Sequence, residues 1–138
     1  MELDPSFAAA HLLLGEGLDQ AGMHTEAVRE LNTAATLSGD NPLYAAQVGV
    51  ALAGAGRNRE ALQIAQQLEA NRQKRYVSPY GIARIYAALH QDDATFQWLQ
   101  ASYNDHAVWM GYLGVDPVFD RYRSDRRFQD LLRRVGLI

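Results

Sequence analysis

The stretch Leu14-Gly15-Glu16-Gly17-Leu18-Asp19-Gln20-Ala21-Gly22-Met23-His24-Thr25-Glu26-Ala27-Val28 decides how this chain folds. Its framework returns 34 residues later as Val48-Gly49, Leu52, Gly56 and Ala61-Leu62. It returns again as Ile82-Ala83, Tyr86, His90 and Thr95-Phe96. A spacing held at this many positions marks a stacked helix–turn–helix unit. Gly15, Gly49 and Ala83 fall mid-helix, where glycine costs about 1 kcal/mol relative to alanine. That cost is acceptable where a neighbouring helix crosses with no side chain between. Ala27 and Ala61 serve the same purpose on the second helix of each pair. Leu14, Leu18, Val28, Leu31 and their equivalents supply the apolar stripe around them. Thr95 replaces the alanine in the third unit, and its hydroxyl and branch predict slightly looser packing there.

The four prolines agree with an all-helical reading. Asp4-Pro5, Asn41-Pro42, Ser78-Pro79 and Asp116-Pro117 each pair a good N-cap with proline at the first helical position. Proline's missing N–H costs nothing there. Helices are predicted over about 5–21, 25–37, 42–55, 58–72, 79–90 and 92–104. Three units follow, at about 5–38, 42–72 and 78–104. Gly22 and Gly56 end the first helix of their units in the left-handed conformation. His90 takes that place in the third unit, a less comfortable choice.

The period stops after about residue 105, where a terminal unit must cover the last helix. Residues 106–113 read as a short helix with large apolar side chains, and Asp116-Pro-Val-Phe119 begins a turn. Ser124-Asp125 caps a final amphipathic helix. Phe128, Leu131, Leu132 and Val135 lie on one of its faces, with Arg126, Arg127, Arg133 and Arg134 on the others. Residues 105–138 therefore read as a C-terminal cap.

A chain of 138 residues is one domain's worth and can bury a core without staples. The absence of cysteine excludes disulfides, thiolate metal sites and cysteine nucleophiles. A net charge of −3 gives no reason to expect a polyanionic partner. No window approaches the roughly 18 apolar residues a membrane span needs, so no membrane partner is expected. Met1-Glu2-Leu3-Asp4-Pro5 is not a signal peptide.

The repeats resemble tetratricopeptide repeats over essentially the whole chain. The likeness rests on Leu14-Gly15, Leu18, Gly22, Ala27 and Ala34, then on Val48-Gly49, Leu52, Gly56, Ala61 and Leu68. In the third unit it rests on Ile82-Ala83, Tyr86, Thr95, Phe96 and Leu99. The resemblance implies a right-handed α-solenoid of three units closed by capping helices. Glu-Leu-Asp-Pro is how such a unit usually ends, so the chain is expected to be the C-terminal piece of a longer protein. The tail resembles the C-terminal repeat regions of bacterial signalling proteins. The residues concerned are Val77-Ser-Pro-Tyr80, Ala83-Arg-Ile-Tyr86, Phe96-Gln-Trp-Leu99, Asp116-Pro-Val-Phe119-Asp120, Arg123-Ser-Asp125, Arg127-Phe128 and Leu131-Leu132. Arg126 stands where that ending often has proline, and Tyr122 where it often has leucine. This likeness implies a bacterial, cytoplasmic origin and a regulatory or scaffolding role.

Nothing in the sequence supports an enzyme or a cofactor. His11, His24, His90 and His106 form no i, i+4 pair, and His24 and His90 read as solvated turn residues rather than metal ligands. Asp92-Asp93 opens a helix, where negative charge complements the dipole. No phosphate loop or nucleophile elbow is present.

The resemblance assigns the concave surface to set positions on the first helix of each unit. They include Leu12, Glu16 and Asp19; Leu43, Ala46 and Val50; and Val77, Tyr80 and Arg84. The Lys/Asn pattern that clamps a terminal carboxylate in some relatives is absent. What remains is an apolar floor with acids at one end and one cation, Arg84, at the other. Such a groove suits a peptide anchored by apolar side chains, or it is a narrow floor of small residues that packs helix on helix. The expected function is binding a protein or peptide on this face. The alternative is an intramolecular sensory or spacer role controlling an attached effector domain.

Residues 1–56 hold seven acids and one base, and residues 57–138 hold nine acids and twelve bases. That asymmetry favours head-to-tail association, or reflects an uncovered N-terminal repeat meant to meet a missing neighbour. The arginines at 121, 123, 126, 127, 133 and 134 are interleaved with Asp120, Asp125 and Asp130. Acids at i±3 or i±4 favour surface ion pairs over nucleic-acid contact.

Overall fold

Local signals set where each helix begins and ends. The structure is a computed structural model. It describes residues 5–39, 41–74, 76–105 and 108–138, with backbone only at 5, 6, 108 and 109. The cap expected at Asp4 and the histidine at 106 lie outside the described residues. Seven α-helices follow in order: α1 (Pro5–Gln20), α2 (His24–Leu37), α3 (Pro42–Gly54), α4 (Asn58–Asn71), α5 (Pro79–Ala88), α6 (Asp92–Asn104) and α7 (Arg126–Val135). Two 3-10 helices, Val108–Tyr112 and Pro117–Tyr122, lie between α6 and α7. All regular structure among the described residues is helical.

Asn41 caps α3 by accepting the Leu43 amide at 3.0 Å, and Asp125 caps α7 through the Arg127 amide at 2.8 Å. Ser78 precedes α5 without making the cap bond its sequence suggests, and its Oγ is buried without a hydrogen bond. Gly22 and Gly56 turn the chain with φ of 83° and 80°, and His90 does so at 60°. The third turn thus holds the left-handed geometry with a side chain that disfavours it.

Each of α1 to α6 packs on its neighbours in sequence, and α1, α3 and α5 also touch in succession. Gly15 and Gly49 sit at crossings. A Cβ on Gly15 would lie 2.5 Å from Leu31 Cγ, and one on Gly49 would lie 2.7 Å from Ile85 Cδ1. Ala27, Ala61 and Ala83 are wholly buried. Thr95 is also wholly buried, and its hydroxyl donates to the Gln91 carbonyl at 2.7 Å. The extra polar atom is therefore satisfied by the residue that caps its own helix.

One expected core residue lies elsewhere. Leu14 is 52% exposed, whereas its equivalents Val48 and Ile82 are 4% and 0% exposed. α2 packs on α3 and α4 packs on α5, whereas no described helix precedes α1.

The C-terminal segment covers α5 and α6. Phe119, Phe128, Leu131 and Leu132 join Tyr80, Ala83, Phe96 and Leu99 in one buried cluster. The stretch read as a turn at 116–119 continues as a 3-10 helix to Tyr122, because Phe119 and Tyr122 are drawn into that cluster. Phe119 meets Tyr80 edge-on at 5.7 Å, and Tyr122 meets Phe96 at 5.2 Å.

Candidate functional site

Helical spacing turns one face of α1, α3 and α5 toward a common hollow. Leu12, Glu16 and Asp19 follow one another at i, i+4 and i+7 on α1. Leu43, Ala46 and Val50 follow at i, i+3 and i+7 on α3. Val77 leads into α5, which adds Tyr80 and Arg84. All nine residues line one cavity of about 780 Å³. Tyr112, Val115 and residues 116–118 from the C-terminal segment form a further wall, which the sequence reading did not foresee.

The nine residues divide by exposure. Ala46, Val50, Val77 and Tyr80 are buried and hold helix to helix. Leu12, Glu16, Asp19 and Arg84 are half-buried, and Leu43 is 39% exposed at the rim. The floor thus serves packing while its edge remains reachable.

A chain of polar contacts crosses the cavity wall. Glu16 accepts from the Gln47 amide, whose oxygen accepts from Arg84. Arg84 Nε donates to Asp116 Oδ2 at 2.9 Å, and the Tyr80 hydroxyl donates to the same oxygen at 2.7 Å. Asp116 Oδ1 accepts the Val118 amide at 3.2 Å, so one carboxylate both caps the second 3-10 helix and pairs with α5. Burial, and then the adjacent Asp116 carboxylate, push the Tyr80 phenol well above the usual tyrosine range. It remains a donor at neutral pH. Arg84 is therefore not an open anchor for a ligand: its charge is matched by Asp116.

Sequence reasoning missed Gln47 and Asp116 as members of this site. Gln47 carried little signal, because its equivalents are Leu13, which is 69% exposed, and the half-buried Gly81, so the register does not mark a buried position. Asp116 carried none beyond its capping role, since Arg84 lies 32 residues away in sequence.

His24 is not a solvated turn residue. It opens α2, and its Nδ1 lies 2.6 Å from Asp19 Oδ1. Its ring also fills the space over Gly54, where a Cβ would come within 2.6 Å of Nδ1. His11 Nδ1 lies 2.6 Å from Glu30 Oε2. Among the described residues, no group of three or more histidines and acids could hold a metal ion. No described helix is long and apolar enough to cross a membrane.

The C-terminal arginines are largely paired. Arg123 meets Asp120 at 2.9 Å, Arg134 meets Asp130 at 2.8 Å, and Arg127 meets both Asp125 and Asp93 at 3.3 Å. Arg127 also lies 4.2 Å over the Phe96 ring. Comparisons with models of protein families, with curated proteins and with solved structures return no match.

Proposed function

We propose that this chain is a tetratricopeptide-type right-handed solenoid that binds a protein or peptide on its concave face. In this reading it belongs to a larger regulatory protein of the bacterial cytoplasm and catalyses no reaction. One observation carries it. Nine positions that the resemblance assigns to the concave face, drawn from all three units, line a single cavity of about 780 Å³. That size lies within the range of about 300–1,000 Å³ typical of ligand sites.

Leu43 is the position to test, because it is 39% exposed and a charge placed there stays hydrated. Val50 is 7% exposed, so Val50→Glu would report on folding instead. A displayed library of random 12-residue peptides is panned on the wild-type protein. Enriched peptides should bind Leu43→Glu at least about tenfold more weakly, with the melting temperature changed by no more than about 2 °C. Peptides that bind Leu43→Glu and Leu12→Glu as well as wild type would refute the groove.

A further inference from the structure

The cavity is asymmetric in charge. Among the described residues lining it, the acids are Glu16, Asp19 and Asp116, and Arg84 is the sole Lys or Arg. Arg84 is matched by Asp116 at the C-terminal side. Glu16 is held by a neutral donor, Gln47, and Asp19 by His24. No described Lys or Arg lies within 4.0 Å of either carboxylate. Both are half-buried beside apolar walls, a setting that focuses their field into the hollow. In the sequence, residues 1–56 carry seven acids and one base.

We propose that the occupant is a cationic, apolar peptide segment. Its apolar side chains lie along Leu12 and Leu43, and a Lys or Arg side chain meets Glu16 and Asp19. An acidic segment is rejected, because it would desolvate like charges against each other. This inference rests on the groove reading above and adds the chemistry of the partner.

Two fluorescein-labelled pools of 12-residue peptides test it by fluorescence anisotropy. Both have Leu, Ile, Val or Phe at four positions and Ser/Gly spacers. One pool carries Lys or Arg at two further positions, and the other carries Asp or Glu there. At low salt the basic pool should bind wild type at least about tenfold tighter than the acidic pool. The preference should shrink to about twofold or less in the Glu16→Gln/Asp19→Asn protein. It should also shrink at high salt, where screening shortens the reach of the carboxylates. Both substitutions keep an acceptor for Gln47 and His24, and a thermal melt verifies the fold. If Leu43→Glu releases both pools but the acidic pool binds equally well, the inference fails and the groove stands. A basic preference that persists in the double variant also overturns it. No binding of either pool up to about 1 mM, or binding that Leu43→Glu leaves intact, overturns the groove itself.

Discussion

Two glycines in α1 show how much a single Cβ decides. Gly15 and Gly17 pay the same helical penalty, yet an added Cβ meets Leu31 at 2.5 Å at the first and nothing within 4 Å at the second. Gly17→Ala should therefore stabilise the protein by about 0.5–1 kcal/mol through the chain entropy it removes. Gly15→Ala gains the same entropy but overpacks a buried leucine, which typically costs about 1–3 kcal/mol. The net expectation is destabilisation, and urea unfolding of the two variants should give opposite signs. Tyr80 makes a second prediction at this scale. Its phenol is raised in the folded protein, so it contributes stability that is full below the unfolded value of about 10 and is lost as pH rises beyond it. Tyr86 is raised likewise, by burial and then by its hydrogen bond to Glu69. Urea melts between pH about 9 and 11 should show stability falling with pH, and Tyr80→Phe should flatten part of that fall. At neutral pH the same substitution removes a bond to a carboxylate and should cost about 1.5–3 kcal/mol. An unchanged alkaline slope would mean that burial and Asp116 do not hold the phenol above its unfolded range.

Helix ends were the most legible feature of the chain. A cap or a left-handed turn depends on residues within a few positions of each other, so Asn41, Gly22, Gly56 and Asp125 could be placed without knowing what packs where. His90 was legible too, as the odd member of a glycine series. At φ 60° it carries a side chain in a region that costs L-residues roughly 1–2 kcal/mol. His90→Gly should raise stability by about 0.5–1 kcal/mol, less than that penalty because glycine is freer in the unfolded chain. A loss of stability on substitution would show that the imidazole makes a compensating contact. The 3-10 helices were less legible. Their tight turns are too short to carry a period, and Phe119 and Tyr122 adopt them because a buried cluster holds those rings.

Across the whole molecule, the Glu16–Gln47–Arg84–Asp116–Tyr80 chain ties three helix pairs to the C-terminal segment. Asp116 is 9% exposed, so removing its cation strands a mostly buried carboxylate. Arg84→Met should cost about 2 kcal/mol, below the 3–5 typical of fully buried pairs because Arg84 retains 21% exposure. Asp116→Asn in the same background should recover part of the loss. A double-mutant cycle on the two positions should give a coupling of about 1–2 kcal/mol. Additivity within about 0.3 kcal/mol would mean that the Arg84–Asp116 pair does not help hold the C-terminal segment.

Helix positions, turn positions and the small residues at crossings were determined by the sequence itself. Each depends on chain neighbours or on a repeated spacing, and Gly15, Gly49, Ala27 and Ala61 stand in the structure where their period requires. The nine cavity residues came from the resemblance to tetratricopeptide repeats, which assigns that face to set positions on the first helix of each unit. Which of them are reachable, and what neutralises Arg84, was decided only by tertiary structure. Gln47 and Arg84 are 37 residues apart, and Arg84 and Asp116 are 32 apart. No local preference specifies such distances; they arise when α3, α5 and the C-terminal segment pack together. The exposure of Leu14 has the same origin, because burial belongs to whatever lies across a surface and not to the residue that presents it.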